Sequence, residues 1–363
     1  MSGILSRRKI ILHDLSLDLF SLNGMMPVTM KKAIYFMNKE VFPMVYGGNL
    51  QAQFSELVDI PAEPKLLTRE TWREHKDVLQ DVEVIIASWG GPVVDEEFLA
   101  AAPNFKLYLY GAGSIKNLMN EAAWDRGVRI TNAAAMNAIP VAEFTLSQII
   151  FSLKHGWRKH REYHASPEAR ISHHGDMPGC YLRKVGIISL GLIGRKVCEM
   201  LRPFDFEVLV YDPFAKEADA AALGAKLVSL EELFSEADVV SLHAPWLPET
   251  ENMIHYDLFK RMKQGASFIN TARGALVNEA DLVRIMKERP DLSAMLDVTY
   301  PEPIKSDSPL LECPNIVITP HIAGAFGQEC QRMGQAMANE LKRYLNDEPL
   351  TWEVTRQQLA LMA

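Results

Sequence analysis

The sequence predicts an α/β protein with two parallel-sheet domains, and three observations point there. The first is length: 363 residues exceed what one hydrophobic core usually serves, since single cores stop growing near about 250–300 residues. The second is a rhythm of short β-branched and aromatic runs separated by charged, helix-compatible stretches, the βα alternation of a sheet covered by helices. The third is that the later runs are almost continuously apolar, as expected where a parallel sheet is buried on both faces.

Residues 1–30 read as an N-terminal extension. Their apolar stretch is broken by His13, Asp14 and Asp18, which makes a poor signal-peptide core. From Lys31 onward, KAIYFMN (32–38), VEVIIAS (82–88) and FKLYLYG (105–111) have strand length and composition. RETWREHKDVLQ (69–80) and DEEFLAAAP (95–103) between them are helix-compatible. A long helical pattern runs from about Val141 to His164, and the turn formers of SPEARISHHGDMPGC (166–180) end it. A more regular strand series follows: KVGIISL (184–190), FEVLVYD (206–212), AKLVSL (225–230), DVVSLHAP (238–245), ASFINTA (266–272), SAMLDVT (293–299) and NIVITP (315–320). The tail from Gln328 to Leu345 is again helical in pattern and is expected to return to the first domain.

Composition excludes several function classes. A net charge of −8 argues against a general nucleic-acid binder, because phosphate contacts need clustered cations. No apolar run reaches the roughly 20 residues needed to cross a bilayer, so no membrane span is expected. The four cysteines form no CxxC pair, which disfavours a zinc or redox motif and fits reduced thiols in a cytoplasmic protein. His160 and His164 share an i, i+4 spacing, but HREYH lacks the glutamate placement of HExxH, and no metal is expected.

The strongest local signal is VGIISLGLIGRKVCEMLRPFDFEVLVYD (185–212). A strand runs into Gly191-Leu192-Ile193-Gly194, a helix begins, and a second strand ends at Asp212. Such a turn faces backbone amides and a helix N-terminus toward a pyrophosphate, where the helix dipole favours negative charge. The acid about twenty residues later accepts from ribose hydroxyls and repels a 2′-phosphate, which favours NAD over NADP. Ser189 stands where the first glycine of G-x-G-x-x-G is usual. Its Cβ calls for more ordinary dihedrals, and a slightly altered turn is expected.

Downstream, FINTARGALVNEADL (268–282), LDVTYPEP (296–303) and ITPHIAG (318–324) place Arg273, Glu302 and His321 near the ends of predicted strands. Ligands of open parallel sheets bind beyond those carboxyl ends. Alone, each residue is read as a surface charge or a structural histidine; together, downstream of a dinucleotide turn, they suit chemistry.

These segments, with AEFTLSQII (142–150) and SLHAPWLPET (241–250), resemble the D-isomer-specific 2-hydroxyacid dehydrogenase family from about Lys31 to Val354. The resemblance implies two Rossmann-like doubly wound parallel-sheet domains with a cleft between them. Residues 31–145 and 326–363 would form a flavodoxin-like substrate domain and 146–325 the NAD-binding domain. It further implies a homodimer and hydride transfer between NAD(H) and a small 2-hydroxy or 2-keto acid. Arg273 would bind the substrate carboxylate, His321 would serve as acid or base, and Glu302 would orient the imidazole. Asp297 matches the family residue near the nicotinamide, and Thr271 and Ala272 its cofactor loop. His243 is either a cofactor contact or structural. Glutamate at 302 favours hydroxy acids over formate, since the formate dehydrogenases of the superfamily carry glutamine there.

The substrate loop corresponds to Ala112-Gly113-Ser114-Ile115-Lys116-Asn117. Relatives carry a second glycine and an aspartate here. Amides of Gly113 and Ser114 are expected to hold the substrate carboxylate, and Lys116 either faces solvent or receives a second anionic group. Two other functions are compatible with the same residues: an NAD-sensing, corepressor-like binding protein with little turnover, and a phosphite-type dehydrogenase.

Overall fold

The computed structural model describes residues 30–61, 63–166, 177–359 and 362, and residues 31–363 form one compact unit. The N-terminal extension, up to residue 29, lies outside the described residues. Two all-parallel sheets organise the unit. The first has β1 (Ala33–Phe36), β2 (Val84–Ala87), β3 (Leu107–Tyr110) and β4 (Arg129–Asn132) in that order. Isolated parallel bridges from Lys32 to Asp59 and from Phe36 to Leu67 extend it beyond β1. The second contains β5 (Lys184–Ile188), β6 (Glu207–Tyr211), β7 (Ala225–Leu227), β8 (Val239–Leu242), β9 (Ser267–Asn270), β10 (Ser293–Leu296) and β11 (Ile316–Ile318). Their spatial order is β11-β10-β9-β8-β5-β6-β7. The order reverses between β5 and β8, and such a reversal opens a crevice beyond the strand ends.

Strand periodicity explains the layers. Alternate residues point to opposite faces, so Tyr35, Ile86 and Leu109 enter one buried layer. Their neighbours Phe36, Ile85, Tyr108 and Tyr110 enter another on the far side. In the seven-stranded sheet, Leu209, Val240, Phe268 and Leu296 fill one layer. Val208, Val239, Ile269 and Met295 fill the other. The helix Cys330–Leu345 returns to the four-stranded sheet, where Met333, Met337 and Leu341 join Tyr35 and Leu109.

Three local expectations are corrected. The single helix expected over about 141–164 is two helices, Ala134–Leu153 and Gly156–Ala165, broken where His155 adopts φ 48°. Gly156 permits the break: a Cβ there would lie 2.4 Å from the Phe151 ring. The first helix also reaches the length and apolarity that could cross a membrane, against the expectation from composition. In the fold, its Ala142, Ile149 and Leu153 pack with Val185 and Val197. The stretch 69–80 forms 3-10 turns at Trp72–Leu79, broken at His75, not an α-helix.

Strand β4 has no sequence signal because only Ile130 in RITN is apolar. It forms because tertiary partners satisfy its polar groups: Arg129 pairs bidentately with Glu353 at 2.9 and 2.8 Å, and the Thr131 hydroxyl donates to the Tyr108 carbonyl at 3.3 Å.

Candidate functional site

The glycine turn lies where β5 meets the helix Leu192–Leu201. A Cβ at Gly194 would sit 2.0 Å from the Ser189 carbonyl oxygen, so helix and strand approach in a way only glycine allows. A Cβ at Gly191 would meet nothing within 4 Å. The turn is thus open on the side where a phosphate would approach, at the N-terminus of a ten-residue helix. Leu192 and Ile193 form the first helical turn there. These features fit a dinucleotide.

The expectation for Ser189 fails. It keeps φ 78°, the left-handed region that glycine occupies in such turns, and its amide donates to the Tyr211 carbonyl at 2.7 Å. Its hydroxyl donates to Asp212 Oδ2 at 3.3 Å, and the Leu190 amide donates to the same oxygen at 2.7 Å. Oδ1 of Asp212 accepts from the amides of Phe214 and Ala215 at 2.8 and 3.1 Å. The acid therefore ties the glycine turn to the end of β6. Ser189→Gly should raise stability by about 1 kcal/mol by releasing the strained dihedral. Thermal denaturation checks this; a lower Tm would mean that the hydroxyl bond outweighs the strain.

Arg273 follows β9, Glu302 lies in the loop after β10, and His321 follows β11, so adjacent parallel strands deliver all three to one edge. Asn270, at the last position of β9, fixes the first. Its amide donates to the Arg273 carbonyl at 2.9 Å, while its Oδ1 accepts from the Ala272 amide at 2.9 Å. Thr271 in the same turn shares a 3.1 Å hydrogen bond with Thr145 on the long helix. Arg273 Nη1 donates to the Ala272 carbonyl at 2.6 Å. Burial pulls the Arg273 guanidinium below its ordinary value, and the nearby Glu302 carboxylate opposes the shift.

His321 Nδ1 lies 2.5 Å from Glu302 Oε1. An ionised carboxylate only accepts, so Nδ1 carries the shared proton and Nε2 is left for other chemistry. The loop holding His321 is organised by Asp297. Its buried carboxylate accepts from Thr319 Oγ1 at 2.6 Å and from the amides of Ile322 and Ala323 at 2.9 Å each. The Asp297 carbonyl also accepts from the His321 amide at 2.9 Å, and His321 takes φ 55°.

The loop 112–117, after β3, approaches the same edge. Gly113 and Ser114 are partly exposed, and a Cβ on Gly113 would approach Asn137 Nδ2 at 3.7 Å. Asn137 Oδ1 in turn accepts from the Ala325 amide at 2.8 Å, so one side chain lies between the loop 112–117 and the loop that follows His321. Sequence reading passed over Asn137, Asn270 and Trp246, whose residue types suit a helix, a strand end and a loop equally well. Lys116 Nζ donates to the Trp246 carbonyl at 2.9 Å, linking the loops after β3 and β8. A separate cavity of about 240 Å³, bordered by Arg161, Lys287 and Asn315, lies by the amino end of β11, the end opposite His321.

His243, just past β8 at the sheet reversal, is buried. Nε2 is 3.0 Å from Ser241 Oγ, and Nδ1 has no protein partner. Burial pushes its pKa down to about 3, so it is neutral near pH 7. The unfolded chain then binds a proton that the folded chain refuses between about pH 6.5 and 3. Stability carried by neutral His243 is present above that window and is lost as pH falls through it, with a limiting slope of ~1.4 kcal/mol per pH unit. His243→Gln should flatten the acid limb of a stability–pH curve; an unchanged slope would exclude this residue.

Residues 149–323 match the family model "D-isomer specific 2-hydroxyacid dehydrogenase, NAD binding domain". The chain is 34% identical over 257 residues to a D-3-phosphoglycerate dehydrogenase of Mycobacterium leprae, covering 70% of this chain and 48% of that one. It thus spans about half the length of the phosphoglycerate dehydrogenases it matches. It is 31% identical over 273 residues to a glyoxylate reductase of Korarchaeum cryptofilum, covering 74% of this chain and 82% of that one. Among solved structures, an NAD-dependent formate dehydrogenase from Staphylococcus aureus in complex with NAD aligns with TM-score 0.63 and 26% identity. That alignment covers 89% of this chain and 99% of the other.

Proposed function

The chain belongs to the D-isomer specific 2-hydroxyacid dehydrogenase family, and on that premise we propose that it moves a hydride between NAD(H) and a 2-hydroxy or 2-keto acid. The observation that carries this reading is the Glu302–His321 pair at 2.5 Å, delivered to the same sheet edge as the half-buried Arg273.

Gly191, Leu192, Ile193 and Gly194 would hold the pyrophosphate and Asp212 the adenine-side ribose. Thr271, Ala272, Asp297 and His243 would border the nicotinamide end. The open face of Gly191 and the unpartnered Nδ1 of His243 support that placement. Asp297 acts chiefly by fixing the His321 loop. When bound, the nicotinamide supplies or accepts the hydride. The chain's residues do the rest. Arg273 presents a planar fork of donors to the substrate carboxylate and polarises the neighbouring carbonyl, with the Gly113 and Ser114 amides assisting. His321 gives a proton from Nε2 to the carbonyl oxygen during reduction, or takes it from the hydroxyl during oxidation. Glu302 holds the ring through Nδ1. Glutamate at this position also supports a hydroxy acid over formate.

Residues 31–145 with 326–363 would form the substrate domain and 146–325 the NAD-binding domain. A homodimer is supported by exposed Phe151, Tyr163, Tyr181 and Leu182, on segments that meet where the Gly179 amide donates to the Leu153 carbonyl. Sedimentation equilibrium tests it. Four free thiols support a cytoplasmic setting.

The test is oxidation of NADH and of NADPH with a panel of 2-keto acids. Turnover with NADH supports the proposal. NADH binding without turnover on any keto acid would instead make the chain an NAD-sensing binding protein.

A further inference from the structure

We infer that the substrate of this site is a 2-keto or 2-hydroxy acid with a large apolar, aromatic side chain, and that Trp246 and Tyr300 form the wall that receives it. The inference rests on the reading of the Arg273–His321 edge given above. Tyr300 stands in the loop carrying Glu302, two residues before it. That loop is pressed against the Arg273 turn, since a Cβ on Gly274 would lie 2.0 Å from the Thr299 carbonyl carbon and 2.5 Å from the Tyr300 nitrogen. Trp246 stands three residues past His243. The two rings meet edge to face, with centroids 5.4 Å apart. Both stay open to solvent, at 36% for Trp246 and 55% for Tyr300. Paired aromatic faces left exposed beside a charged centre are suited to bury an apolar group that the charged centre cannot.

The charges nearby agree. Arg273 is taken by the substrate's own carboxylate. Among the loops after β2, β3, β8, β10 and β11, residues 88–94, 111–117, 243–250, 297–308 and 319–326, the lysines are Lys116 and the exposed Lys305, and there is no arginine. The Lys116 ammonium already donates to the Trp246 carbonyl. Arg69, beside the loop after β2, has Nε committed to the Gly91 carbonyl at 3.2 Å. Glu302 adds negative charge. With these cations exposed or already tied to main-chain carbonyls, a second carboxylate or a phosphate on the substrate would gain less here than an apolar group gains against the two rings. Lys116 is a positioning residue here: by holding the backbone of Trp246 it keeps the ring against Tyr300.

The experiment compares kcat/KM with NADH for phenylpyruvate, glyoxylate, 2-oxoglutarate and 3-phosphohydroxypyruvate. Phenylpyruvate is expected to be preferred. Trp246→Ala and Tyr300→Ala should each lower the phenylpyruvate-to-glyoxylate ratio by about 10-fold or more, in the range that apolar contacts supply. Lys116→Met should lower the same ratio by a smaller factor, through a higher KM for phenylpyruvate. Preference for either doubly charged acid, for glyoxylate, or an unchanged ratio in both aromatic variants overturns the inference. Calorimetric titration of phenylpyruvate into protein saturated with NAD+, where no hydride is available, separates the two claims. Binding that the aromatic variants weaken, without turnover on any keto acid, sustains the wall and sinks the dehydrogenase reading. Absence of phenylpyruvate binding alongside turnover of glyoxylate does the reverse.

Discussion

His321→Gln is expected to lower kcat by about 10²–10⁴-fold, the range a positioned general acid or base supplies, while NADH affinity stays close to that of the native chain. The reason is geometric. With Nδ1 committed to Glu302, Nε2 is the ring atom left to exchange a proton with the substrate oxygen, and a carboxamide cannot take its place. The loop should survive the change, because its backbone is held by Asp297 through Thr319, Ile322 and Ala323, not by the imidazole. Steady-state kinetics with NADH fluorescence titration reads both quantities. A kcat within threefold of native would remove His321 from the chemistry; a loss of NADH binding equal to the loss of kcat would make it a cofactor residue.

Arg273→Lys is expected to lower kcat/KM by about 10²–10³-fold, with both KM and kcat affected. Charge is preserved in this variant and shape is not: a lysine offers a mobile point charge where the guanidinium offers a planar fork matched to a carboxylate. The burial that depresses Arg273 would act on a more strongly hydrated ammonium as well, disfavouring its charged form. Asn270 grips the main chain of the turn, so the backbone should remain in place. Near-native kcat/KM with 2-keto acids would show that the substrate carboxylate is held elsewhere, with the amides of Gly113 and Ser114 the first place to look.

Sequence alone determined the features governed by local pattern. Near-continuous apolar runs mark the strands of the seven-stranded sheet, because a strand buried on both faces tolerates few polar residues. The glycines at 191 and 194 and the acid at 212 mark the turn from β5 into the following helix, because only certain residues meet its close approaches. Arg273, Glu302 and His321 were visible because each follows a legible strand in a parallel sheet, and such strands deliver their carboxyl ends to one edge. Features that rest on distant partners were decided by tertiary structure. Strand β4 needs Glu353 to satisfy Arg129; the turn at Ser189 is tied to Tyr211 and Asp212; Asp297 is a clamp because the loop 319–323 folds back onto its carboxylate; and Lys116 closes on a carbonyl 130 residues away. A local pattern records what a segment can bury, whereas hydrogen-bond partners remote in sequence are chosen by the packing of the whole unit.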